Sequence, residues 1–219
     1  MADRRCDRTE GYLRQAMLEL LAERQLEQIT VKDLAERAEV SKNSFYNHYE
    51  DLADLVQDCY FHELVYFGGA HKCRGDYASR QEAVSELLAE RAHSLEFFRR
   101  YPNLARAILS NAGVSPYYSR AELLEEELTV DHLEFEYGLE GESRFGFLTY
   151  ADCAHFISAG WFAVVRKWFF DGMVEAIEPV VKRGAYLSLQ VAAGMAGRPI
   201  EPEYAQAIAE WSLGEGAAV

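Results

Sequence analysis

Residues 29–56 read ITVKDLAERAEVSKNSFYNHYEDLADLV. Thr30 stands where its side chain can cap the first free amides of a helix. Asp33 follows three residues later, where the acid of a capping box belongs. Val31, Leu34, Ala35 and Ala38 then share the inner face of a short helix. Glu39-Val40 predicts a tight turn and Ser41 the next cap. A third helix of about two turns runs from Ser41 to about His48, with Phe45 and Tyr49 inward at i and i+4. Its outer face carries Lys42, Asn43, Ser44, Tyr46 and Asn47 and no acid. Two short helices joined by a three-to-four-residue turn, the second exposing amides and hydroxyls, make a helix-turn-helix. That second helix fits the major groove, where such groups can read base edges. The free amides behind Thr30 can hold a phosphate.

The pattern on either side is helical too. Leu13, Ala16, Met17, Leu20 and Leu21 form one apolar stripe, which predicts a helix from about Thr9 to Arg24. A fourth helix starts near Asp51, with Leu52, Leu55, Val56 and Cys59 inward, and runs to Phe67, where Gly68-Gly69 stops it. Gln81–Arg100 and Pro102–Asn111 read as two more. Glu122–Glu142 holds nine acids and neither Lys nor Arg; its first half has helical spacing, while Phe135, Tyr137 and Leu139 alternate. Tyr150–Gly172 and Ile177–Gly194 are strong helices, and Glu203–Leu213 reads as a short addition. The expected class is all-α. A helix-turn-helix domain occupies residues 1–50 and a larger helical domain residues 51–219.

Composition narrows the function. The 219 residues are 49% hydrophobic and 26% charged, ordinary for a globular protein. The net charge of −14 is unevenly spread: residues 1–50 carry −2 and the remainder −12. An acidic chain is a poor polyanion binder as a whole, so any DNA contact must be local and near the amino end. Cys6, Cys59, Cys73 and Cys153 are scattered, and Cys59, His62, His71 and Cys73 match no common zinc spacing. The apolar run Cys153–Phe170 is cut by Arg166 and Lys167 and reads as a buried helix, not a membrane span. No phosphate loop, nucleophile elbow or HExxH is present. The expectation is a cytoplasmic protein with no cofactor, no metal, no membrane partner and no enzymatic activity.

The residues Thr30-Val31, Leu34-Ala35, Ala38, Val40-Ser41, Phe45-Tyr46, His48-Tyr49 and Leu55 resemble the DNA-binding motif of the tetracycline-repressor (TetR) family of bacterial regulators. The likeness covers about residues 9–65. It implies phosphate contacts from Thr30, Lys42, Tyr46 and His48, base contacts from Asn43, Ser44 and Asn47, and core positions for Phe45 and Tyr49. Two departures stand out: the residue before Val40 is Glu39 where glycine is usual, and Leu52 stands where a phosphate-holding lysine is usual.

The resemblance also implies a homodimer joined through the last two long helices, each copy reading one half of a palindromic double-stranded DNA operator. The residues suited to that interface are Phe156, Gly160, Ala163, Val164 and Trp168, with Gly184, Leu187 and Val191. It further implies an apolar pocket for an unknown small-molecule effector. The dense aromatics Tyr60, Phe61, Phe97, Phe98, Tyr101 and Tyr117, with Leu64 and Phe67, are the pocket candidates. The expected function is a ligand-released repressor. The rival is a protein-interaction module with a degenerate helix-turn-helix, favoured by Glu39, Leu52 and the net charge.

Overall fold

The computed structural model describes residues 4–62, 79–110, 144–145 and 147–213, with 122–123, 125–127, 129–130 and 132–133 between them. The all-α expectation holds. The helices are α1 (Arg4–Glu23), α2 (Val31–Arg37), α3 (Lys42–Tyr46), α4 (Leu52–His62), α5 (Arg80–Arg100), α6 (Pro102–Leu109), α7 (Tyr150–Phe170), α8 (Ile177–Met195) and α9 (Pro202–Glu210). The one ladder among the described residues pairs Arg144 with Thr149 and Phe145 with Leu148. Helix α1 begins at Arg4, five residues before the expected start near Thr9. The described part of 122–133 is helical; the alternating residues 135, 137 and 139 lie outside the described residues.

Contacts divide the chain into two compact units: Met1–Glu63 with Phe97–Ala121, and Leu64–Glu96 with Glu122–Val219. In the first, the α1 stripe is fully buried and α1 packs on α2, α4 and α6. Helix α4, expected to open the second domain, belongs here. Its Asp58 accepts from Arg14 Nη1 of α1 at 2.7 Å and from the Tyr49 hydroxyl at 2.5 Å. Burial, then the Asp58 carboxylate, push the Tyr49 phenol well above its ordinary range.

In the second unit α7 lies along α8. Thr149 and Asp152 form a capping box at the start of α7. The two helices approach closely because residue 184 is glycine: a Cβ there would lie 2.5 Å from the Trp161 ring. A second cluster gathers Leu133, Tyr150, Cys153, Ala154, Ile157 and Ala192.

Candidate nucleic-acid interface

The capping box read from the sequence is present. The Thr30 hydroxyl accepts from the Asp33 amide at 3.2 Å and donates to Asp33 Oδ2 at 2.6 Å, while the Thr30 amide donates to the same oxygen at 2.9 Å. These bonds hold the Asp33 carboxyl below its usual range. Thr30 is exposed, yet its hydroxyl is committed to the cap, so its amide and hydroxyl serve the helix before any phosphate.

Helix α2 ends in a Schellman turn. The Val40 amide donates to Ala35 O at 2.9 Å and the Glu39 amide to Glu36 O at 3.3 Å, which requires a left-handed residue between them. Glu39 takes that conformation, with φ 55°. The same pattern closes α7, where glycine fills the position: Met173 N–H donates to Trp168 O across Gly172, φ 87°. A non-glycine residue in this region costs about 1–2 kcal/mol, and glycine's extra freedom when unfolded takes back about 0.5–1. Glu39→Gly is therefore expected to raise stability by about 0.5–1 kcal/mol. It should also tighten DNA binding at every sequence by removing an acid beside the duplex. Chemical denaturation and a DNA titration check both.

Ser41 caps α3 by accepting from the Ser44 amide at 3.0 Å. Phe45 and Tyr49 are buried, as their spacing predicts. Lys42, Asn43, Tyr46 and Asn47 are exposed and Ser44 is half-buried. These five residues of the α3 segment include no acid. His48 does not join them. Its side chain is only 10% exposed, and Nδ1 lies 3.1 Å from Glu10 Oε1 of α1. Position 48 follows the end of α3 at Tyr46, and its ring turns toward Glu10, 38 residues away in sequence. Leu52 opens α4 where Asp51 and Asp54 already occupy the exposed amides: the Asp54 amide donates to Asp51 Oδ1, and the Glu50 amide to Asp54 Oδ2.

Residues 13–59, from the α1 stripe to Cys59, match the model of the bacterial regulatory proteins of the tetR family. The amino-terminal stretch is therefore similar to the DNA-binding domain of TetR-family regulators. A curated relative, the uncharacterized HTH-type transcriptional regulator YxbF of Bacillus subtilis (strain 168), is 41% identical over 49 residues. That stretch is 22% of this chain and 13% of the relative. The likeness is confined to α1–α4, and the remainder must be read from its own residues. No described helix is long and apolar enough to cross a membrane. No described group of three or more His, Cys, Asp or Glu is placed to hold a metal.

The described aromatic candidates are mostly core or exposed. Tyr60, Phe97 and Phe98 are core of the first unit, with Tyr60 stacked on Phe98 at 5.5 Å and 8°. Rings on facing helices fill each other's space, and composition alone cannot distinguish that from a ligand box. Phe61 is exposed, and Tyr101 lines an open groove with Arg14, His62 and Arg100. Leu64, Phe67 and Tyr117 lie outside the described residues. The second unit holds a cavity of about 90 Å³, lined by Leu87, Arg91, Glu125, Leu133, Ile157 and Ser188 among others. None of the described pocket candidates borders it.

The candidate dimer residues divide into two sets. Trp168 is buried, its Nε1 donating to Glu175 O at 2.8 Å, and Gly184 is covered by Trp161. Both serve the packing of α7 and α8 within one chain, and Val191 packs on the Leu133 cluster. Phe156, Gly160, Ala163 and Leu187 face outward, Phe156 with 60% of its surface exposed, and Val164 is half-buried.

Proposed function

We propose that this protein is a TetR-family homodimeric repressor of a palindromic operator, released by a small molecule. The observation that carries the DNA part is the acid-free face Lys42, Asn43, Ser44, Tyr46 and Asn47, held out by buried Phe45 and Tyr49. Lys42 and Tyr46 hold phosphates; Asn43, Ser44 and Asn47 meet base edges. The dimer part is supported by the outward apolar stripe on α7, Phe156, Gly160, Ala163 and Phe170, beside Leu187 of α8. Small residues at its centre let a second copy approach closely. A two-fold pair reading one duplex face would set its α3 helices about 34–36 Å apart. The effector part is supported by the partly open, largely apolar cavity of the second unit. Such a protein works in the cytoplasm, where the chromosome is.

Selection of bound duplexes from a random pool supplies the test sequence. Asn43→Ala and Asn47→Ala are each expected to relax preference at one base step by about 1–3 kcal/mol. Lys42→Ala should weaken all sequences alike and lower the slope of log affinity against log salt by about one. Three variants behaving identically would remove this division of roles, and no duplex recovered at low salt would favour a protein-interaction module. Ala163→Glu places a charge at the centre of the outward stripe and is expected to yield monomers in analytical ultracentrifugation. A dimer that persists puts the interface elsewhere.

A further inference from the structure

We infer that the cavity of the second unit takes an amphipathic carboxylate, its acid on Arg91 and its apolar body against Leu87, Leu133 and Ile157. Arg91 is 4% exposed. One nitrogen, Nη2, donates to Ser188 Oγ at 3.1 Å, and the face of the guanidinium lies over Trp161 at 4.6 Å. Nε and Nη1 meet no acceptor among the described residues. Burial pushes this guanidinium down to about 10, against the pull of Glu125 and Glu90, so it is still a cation at neutral pH. A buried cation held by one neutral hydroxyl is strongly under-partnered. A carboxylate matches the planar fork of a guanidinium.

The wall also contains Glu90, Glu125 and Glu201, which would favour a cationic ligand. Two facts weigh against that. Glu201 already accepts from Arg80 at 2.8 Å, and all three glutamates keep part of their surface in water. Arg91 is almost wholly buried and its one hydrogen-bond partner is a neutral hydroxyl, and a desolvated group gains most from a new partner. A cavity of about 90 Å³ suits a small acid, and a chain-length series finds its size.

The inference rests on the ligand-release reading only for its regulatory consequence. The test uses the full chain with straight-chain acids from butanoate to decanoate, and octylamine and octanol as head-group controls, by calorimetry and thermal unfolding. Octanoate is expected to bind at least tenfold tighter than either control and to raise the unfolding midpoint. Arg91→Met should fold, because an apolar chain of similar length replaces a poorly paired buried charge, and should lose at least tenfold in octanoate affinity. Arg91→Lys keeps charge without the fork and should lose about fivefold. Octylamine binding as well as octanoate, no acid in the series binding, or Arg91→Met binding octanoate unchanged would each overturn the inference. If that variant does not fold, the head-group comparison on the natural chain decides alone. DNA release is read separately. Octanoate that binds through Arg91 but leaves the selected duplex bound would refute ligand release by this site, not its chemistry.

Discussion

Phe45→Ala is expected to destabilise the first unit by about 3–5 kcal/mol, the range for truncating a fully buried aromatic ring. Phe45 has no exposed surface; its ring meets Tyr46 edge-on at 5.2 Å and Tyr49 at 5.8 Å. Helix α3 is only five residues long, far too short to be helical without tertiary support. Its Ser41 cap orders one end, but Phe45 is what attaches it to the core. Losing that ring should therefore abolish binding to every duplex, not shift preference among them. Tyr46→Ala is the matched control. Tyr46 is 59% exposed, so its loss should change stability by no more than about 0.5 kcal/mol while still weakening DNA binding. Urea denaturation followed by circular dichroism separates the two. A Phe45→Ala protein that loses less than about 1 kcal/mol, or keeps sequence preference, would mean α3 is held by something other than this ring.

What could be read in advance follows the range of each interaction. The Thr30–Asp33 box and the Ser41 cap are local, three residues across, and both are formed. Thr149 and Asp152 carry the same spacing at the start of α7 and were equally legible. The strained position of Glu39 was visible through the family resemblance, because glycine is usual at that turn position and Glu39 stands there with φ 55°. His48 was not, because its partner Glu10 is 38 positions away and periodicity says nothing across that distance. The same limit explains α7 and α8. Spacing identifies an apolar face, but not whether a neighbour in the same chain or a second copy covers it, and Trp168 and Gly184 proved to face inward. Arg91 had a signal that composition hides. Val84, Leu88, Arg91, Leu95 and Phe98 follow a four-three-four-three spacing, so the arginine stands on the apolar seam of α5.

Trp161 and Gly184 should behave as one unit under substitution, with an effect that changes sign. Trp161→Ala removes a ring that is 2% exposed and covers both Gly184 and the face of Arg91. It should cost about 3–5 kcal/mol. Gly184→Ala alone brings a methyl to 2.5 and 2.6 Å from two atoms of that ring. The ring is rigid and backed by Arg91, so it cannot yield cheaply, and overpacking of this kind costs about 1–3 kcal/mol. In the Trp161→Ala background the clash is gone. Residue 184 lies within helix α8, where alanine is favoured over glycine by about 0.5–1 kcal/mol. The second substitution should then be neutral or stabilising, and the coupling between the two sites should reach about 1.5–3 kcal/mol. Equilibrium denaturation of the four proteins completes the cycle. Additive losses would show that α7 and α8 can part at residue 184 without strain. Trp161 would then not be the wedge that holds the Arg91 guanidinium against the cavity wall.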